Sequence, residues 1–287
     1  MDTGVVPMSN TIQIRKGVDP SFVPNIVDSD YRKATGLSKS MLSHFLKSPA
    51  HYLAHCDQSS EPTAAMQFGT AYDAEILQQK PSDFYAVMPD VDGRTKEGKA
   101  IKEQFKIDAA GKAVISPKEA EMIPLMKKAL YEHPIANRLL RTLTHKQVAC
   151  FGTYYMNGQQ DTGDKKVRLK GLLDGYNEAE GIIVDLKTAE DASPEGFRKA
   201  IWKYKYAYQD IQYRWLLNNA GKPVNDFIFI VQEKEPPFAV GCYSISVDDL
   251  ALTYQSWEMA MIRFGHCQKS GQYPAYADEV VNLKLTK

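Results

Sequence analysis

The sequence predicts an α/β domain: a mixed sheet with an antiparallel meander, flanked by helices and covered on its N-terminal side by more helices. Three observations carry this. Before about residue 146 apolar side chains recur mainly at helical spacing. Three strand-like segments follow, "KQVACFGTYYM", "KVRLKGLLDGY" and "GIIVDLKT", separated by turns rich in Gly, Asn and Asp. A helix, two more strands and a last helix complete an order typical of layered α/β cores.

Residues 1–30 are polar and punctuated by proline ("VDPSFVPNIVDSD") and are expected as a loose arm before a single domain over 31–287. "LSKSMLSHFLKSPAHYLAHC" reads as helix, with Ser38 as N-cap, Met41, Leu42, Phe45 and Leu46 as its apolar stripe, and an interruption at Pro49. "AAMQFGTAYDAEILQQ" is a second helix. "PDVDGRTKEGKA" is a charged link into another helical stretch, and "SPKEAEMIPLMKKALYEHPIANRLLRTL" is helical around its prolines. This helical part spans 37–146 and the expected catalytic core 147–270. In the core a helix is expected from about Pro194 to Asn218, strands at "DFIFIVQE" and "AVGCYSISV", and a last helix from about Asp248 to Cys267.

The 287 residues are 44% hydrophobic and 24% charged, with zero formal net charge. That balance is enough for a large core and excludes a chain that binds nucleic acid through its overall charge, though not a local basic patch. Four scattered cysteines with no CxxC pair argue against a zinc ribbon or iron–sulfur centre and for free thiols in a reducing compartment. No long apolar run is present, nor a signal-type start, so the expectation is a cytoplasmic protein without a membrane span.

The chemistry is concentrated in "VRLKGLLDGYNEAEGIIVDLKTAED". Alternation along a strand puts Asp185 and Lys187 on one face, and Ile182, Val184 and Leu186 on the other, read as the core side. The turn "NEAEG" lets the flanking strands pair antiparallel, so Asp174 and Asp185 can converge. Two close carboxylates repel unless a cation lies between them, and oxygen donors suit Mg²⁺ or Mn²⁺. Lys187 then adds an ammonium that can position a nucleophile or neutralise charge growing on a phosphate. The competing reading is an edge hairpin with an ordinary Asp–Lys pair.

Asp73, with Gly69, Thr70, Ile76 and Leu77, lies on a helix face expected to point inward, whereas Glu75 is expected in solvent. A buried acid needs a partner; a metal shared with Asp174 and Asp185 would serve, and so would a helix salt bridge. Further on, "FRKAIWKYKYAYQDIQYRWLL" interleaves Arg198, Lys199, Lys203 and Lys205 with aromatic residues, the composition of a nucleic-acid groove. Trp202 and Tyr206 are expected in the core. Gln209 and Tyr213 share a helix face and can bond or stack on a nucleotide.

Taken in order, "LSKSMLSHFLKSPAHYL", "FGTAYDAEIL", "RTKEGKA", "KGLLDGY", "IIVDLKTAEDAS", the Gln209-x₃-Tyr213 pair and "VQEKEPPFAV" resemble the RecE-type exonucleases (exodeoxyribonuclease VIII), a phage and prophage branch of the PD-(D/E)xK, RecB-like nucleases. The resemblance runs from about Leu37 to Tyr276. It implies a restriction-endonuclease-like core in which Asp174 and Asp185 hold Mg²⁺ or Mn²⁺ and Lys187 is the catalytic lysine. Gln209 and Tyr213 match a helix motif near the DNA end, and Ser38 and Ser40 an N-terminal motif near the DNA strand. Arg198 and Lys203 complete the expected DNA contacts. Such nucleases usually carry histidine where this chain has Asp73; an aspartate there can still ligate a hard ion, or can mark weakened catalysis. The implied activity is exonucleolytic degradation of one strand of linear duplex DNA, 5′ to 3′, leaving a 3′ overhang for a single-strand annealing partner, with a homo-oligomer encircling DNA. A non-cutting end-binding protein and a structure-specific endonuclease are the alternatives.

Overall fold

The computed structural model describes residues 18–24, 26, 28–57, 61–156 and 166–283. The elements are β1 (Val18–Pro24), α1 (Asp28–Lys33), α2 (Lys39–Lys47), α3 (Pro49–Asp57), α4 (Ala64–Leu77), β2 (Tyr85–Val87), α5 (Lys96–Asp108), β3 (Ala113–Ile115), α6 (Pro117–Glu132), α7 (Pro134–Arg141), β4 (His145–Tyr155), β5 (Lys166–Asn177), β6 (Ile182–Ala189), α8 (Pro194–Tyr204), α9 (Tyr206–Asn219), β7 (Asp226–Glu233), β8 (Val240–Tyr243) and α10 (Val247–Ser270).

Six strands form one sheet in the order β1-β4-β5-β6-β7-β8, and β2 and β3 form a small parallel pair. The meander β4-β5-β6 is antiparallel. β7 returns parallel to β6 after α8 and α9, since a parallel neighbour needs a crossover. Each face of the sheet has its own core. On one, Leu42, Phe45, Phe197, Trp215, Leu216, Trp257 and Phe264 from α2, α8, α9 and α10 pack on Val148, Leu169 and Phe229. On the other, Phe68, Tyr72, Ile123, Met126 and Leu139 from α4, α6 and α7 pack on Val184, Leu186 and Ile230. The α/β class, meander and N-terminal helical cover read from the sequence are therefore present.

Caps explain several helix starts. Ser38, Thr63, Thr95 and Ser193 each accept a backbone N–H, and Ser116 and Glu119 form a reciprocal capping box.

Some expectations need correction. The arm expected over 1–30 contains β1, which pairs with β4; residues 1–17 lie outside the described residues. Pro20 and Pro24 suggest loop but are tolerated on an edge strand, and Phe22 packs edge-on against His145 and Tyr176. The helix expected over 194–218 is two helices, broken at Lys205, whose backbone is left-handed (φ 58°). The face carrying Asp185 is also buried, because α9 covers it. Nine consecutive residues of α9, Gln209 to Leu217, are buried, so this helix runs through the core rather than along a groove.

Candidate active site

The site forms where the meander opens. β5 and β6 pair only at Gly175–Val184, Tyr176–Ile183 and Asn177–Ile182. Beyond these the ladder stops and Asp174 takes the place of a strand: its Oδ2 accepts the Leu186 N–H at 2.9 Å. A backbone N–H inside a sheet must be satisfied, and here a carboxylate does it. Further along the same edge of β5, Leu37 fills the space β6 has left. Its N–H donates to the Arg168 carbonyl (2.8 Å) and its carbonyl accepts the Lys170 N–H (3.2 Å). Gly36 permits the approach: its φ is +149°, and an added Cβ would lie 3.1 Å from the Leu169 carbonyl carbon. The start of α2, Ser38-Lys39-Ser40, is thereby inserted beside β6.

Helices from both layers reach the opening. From α9, Gln209 Nε2 donates to Asp185 Oδ1 at 2.5 Å. Gln212 Nε2 bonds the Leu37 and Lys170 carbonyls, both at 3.0 Å, and pins the inserted segment. Buried Asp210 is paired with Arg214, while its Oδ2 and the Gln212 Oε1 have no hydrogen-bond partner among the described residues. From α4, Asp73 comes near enough to interact with Asp174, Lys187 and Asp185.

Asp185, 2% exposed, holds the Lys187 ammonium through Oδ2. Asp73 is pushed well above the usual carboxylate range by burial and by Asp174, against the opposing pull of Lys187. Burial and Asp185 raise Asp174 to about 7, with Lys187 and the Leu186 N–H opposing. Burial works against the Lys187 ammonium, but Asp185, Asp174 and Tyr206 outweigh it and its pKa is raised. Three acids and this lysine thus act on one another.

The other expected residues are distributed differently. Ser38 is buried as the cap of α2, its hydroxyl 3.0 Å from that of exposed Ser40. Gln209 and Tyr213 share a face of α9, but both are buried: Gln209 supports Asp185, and Tyr213 packs on Gly171 beneath the sheet. They brace the site from inside; a surface contact to a nucleotide is not what their burial allows. Arg198 and Lys203 are exposed on α8. Glu75, expected in solvent, accepts from Tyr85 Oη at 2.9 Å and pairs with Lys127. Trp202, expected in the core, is 70% exposed.

Lys39 was not singled out from the sequence, and Tyr206 was expected only in the core. Lys39 Nζ lies 4.7 Å from the centroid of the Tyr206 ring, and Lys187 Nζ 5.2 Å from the same centroid. Burial and Lys187 lower the Lys39 amine to about 8, while Asp185 opposes. A signal existed: Lys39 opens α2, where the positive end of the helix dipole disfavours a cation, so a lysine there invites another explanation.

Among the described residues, no three His, Cys, Asp or Glu side chains stand close enough to enclose a metal ion as arranged. Both Asp185 oxygens already face nitrogen donors, Gln209 and Lys187. The donor set is nonetheless all oxygen, and the raised carboxyls of Asp73 and Asp174 are what a cation between them would relieve. The residues fit a hard divalent ion, provided Lys187 yields Asp185.

No curated protein matches the chain. Among solved structures, a "Putative exonuclease" from Eubacterium rectale superposes with a TM-score of 0.56 at 14% identity, covering 91% of this chain and 96% of that one, which supports the fold alone. Another, SSO0001, has a TM-score of 0.30 at 13% identity over 82% and 88% of the two chains, too dissimilar to carry an argument. No helix among the described residues is long and apolar enough to cross a membrane. The model of a PDDEXK-like domain of unknown function (DUF3799) matches residues 38–286, nearly the whole chain, so a sheet opened around Asp174, Asp185 and Lys187 sits in a chain that belongs to the PDDEXK-like nuclease-fold family.

Proposed function

We propose that the protein is a divalent-metal-dependent DNA exonuclease of the RecE type. The observation that carries this is the convergence of Asp73, Asp174, Asp185 and Lys187 at the opening between β5 and β6. Asp73, Asp174 and Asp185 would hold Mg²⁺ or Mn²⁺. The ion, when bound, polarises the scissile phosphate and lowers the pKa of water. Lys187, released from Asp185, orients the attacking water and offsets charge growing on the phosphate. Lys39 offers a second ammonium to a phosphate oxygen, and the Tyr206 ring lies beside both lysines. Gln209 holds the Asp185 carboxylate in one rotamer.

The substrate in this reading is an end of linear duplex DNA, cut 5′ to 3′ on one strand in the bacterial cytoplasm. The 3′ overhang passes to a single-strand annealing protein, and a homo-oligomer around the duplex keeps the enzyme on its track. The test is a gel assay on end-labelled linear duplex and on covalently closed circles, with Mg²⁺, Mn²⁺ or EDTA. Loss of one strand from the linear duplex in metal alone, with intact circles, is the expected result. Nicked circles indicate an endonuclease, and binding to ends without product indicates a protein that has lost its chemistry.

A further inference from the structure

Trp202 is one of three tryptophans, and the other two, Trp215 and Trp257, are 1% and 0% exposed. A single exposed indole is ordinary on a protein surface; what marks this one, 70% in water, for an occupant is its surroundings. On the solvent face of α8, Arg198 and Lys199 lie four and three residues before Trp202, and Lys203 follows it. The face carries one acid, Glu195, already paired with Lys199 at 2.8 Å. Among the described residues Arg198 and Lys203 have no acidic partner, which makes this a local positive surface on a chain of zero net charge.

The surface is tied to the active site by a run of rings. Lys203 Nζ lies 5.0 Å from the centroid of Tyr204, which is 47% exposed. The Tyr204 ring is 5.6 Å from that of Tyr206, the ring that Lys39 and Lys187 share. Aromatic faces among unpaired cations match a polyanion with free π-faces. A single strand has such faces, whereas a duplex keeps its bases stacked on one another.

We propose that Trp202 and Tyr204, with Arg198 and Lys203, form a stacking platform for unpaired nucleotides beside the active site. This rests on the DNA-processing reading. Two residues apart, the rings occupy different sides of the last turn of α8, Tyr204 toward the site and Trp202 toward solvent. A strand passing over the helix end would meet them in succession.

Tryptophan emission of the full chain in EDTA tests this, because Trp202 is the exposed emitter against two buried ones. Oligothymidylate should quench the wild type, and Trp202→Phe, with an unchanged thermal melt, should lose the quench. Anisotropy of labelled oligothymidylate should show Trp202→Ala binding at least about 5-fold more weakly, the scale of one lost base stack, with Trp202→Phe in between. If oligothymidylate raises anisotropy while Trp202 emission stays constant, the platform is wrong and DNA binding stands. Quenching by blunt duplex and not by the single strand overturns the choice of unpaired nucleotides. Emission that changes with protein concentration and not with DNA assigns the face to a second copy and overturns the proposal. No anisotropy change with any DNA defeats the DNA-processing reading itself, and the platform with it.

Discussion

Removing divalent metal should make the stability of this protein fall as pH rises through neutrality. The perturbation is EDTA between about pH 6 and about pH 8. Asp174 is raised from 3.8 to about 7 in the folded chain. A folded state that holds its proton more tightly than the unfolded chain is stabilised below the unfolded pKa, and that advantage is lost as pH rises through the folded pKa. Across the whole interval the loss is at most about 4 kcal/mol, at about 1.4 kcal/mol per pKa unit. Between about pH 6 and about pH 8 only about 1 kcal/mol of it remains to be lost. Asp73, raised in the same direction, adds to this. Asp210, raised to about 6, is half titrated at the lower end of the window and acts in the same direction, whereas Lys39, lowered to about 8, acts in the opposite direction toward the upper end, so the part of the slope that belongs to Asp174 is the part its substitution removes. For a chain of this size about 1 kcal/mol is a fall of about 2 °C in Tm. Scanning fluorimetry or calorimetry reads it. Mg²⁺ should cancel the fall, so its stabilising shift should be larger at the upper pH, and Asp174→Asn should flatten the EDTA slope. A metal-free Tm that is level or rising across the window, with a Mg²⁺ shift independent of pH, would refute the crowded-carboxylate account.

Lys187→Ala should lower cleavage by about 10²–10⁴-fold, yet bind Mg²⁺ at least as tightly by calorimetry, since the ammonium no longer competes for Asp185; a loss of only a few-fold would reduce Lys187 to a structural ion pair. Asp73→Ala should cut activity severely and be partly rescued by more metal, whereas Asp73→His should keep activity and move the preference from Mg²⁺ toward Mn²⁺; rates within about two-fold of wild type for Asp73→Ala would remove it from the site. Gly171→Ala should destabilise the fold by about 1–3 kcal/mol in denaturant titration, because the new Cβ would lie 2.8 Å from Tyr213 Cε1 and 2.9 Å from Leu216 Cδ1.

Local pattern was enough for much of this protein. Period-two alternation located β4, β5, β6 and β7 within about two residues, and Ser38 as a cap followed from its place before an apolar stripe. The spacing of Asp185 and Lys187 settled that they share a face, and "NEAEG" that β5 and β6 form a hairpin. What no local pattern encodes is where that hairpin stops. The opening of β5 from β6 depends on Leu37, more than a hundred residues away in the chain, bonding the edge that β6 leaves. That bond delivers Lys39 to the acids. The burial of α9 was hidden for a related reason. Gln209 and Tyr213 read as a face turned to a nucleotide, and only tertiary partners, Asp185 for Gln209 and the Leu37 and Lys170 carbonyls for Gln212, make such polar groups tolerable inside. Trp202 went the opposite way: an aromatic residue is assigned to the core by composition, but on α8 it is Phe197 that enters the core while Trp202 stays in water. Sequence determines which groups a segment can present; the contacts between distant segments determine which of them are satisfied internally and which are left for a ligand.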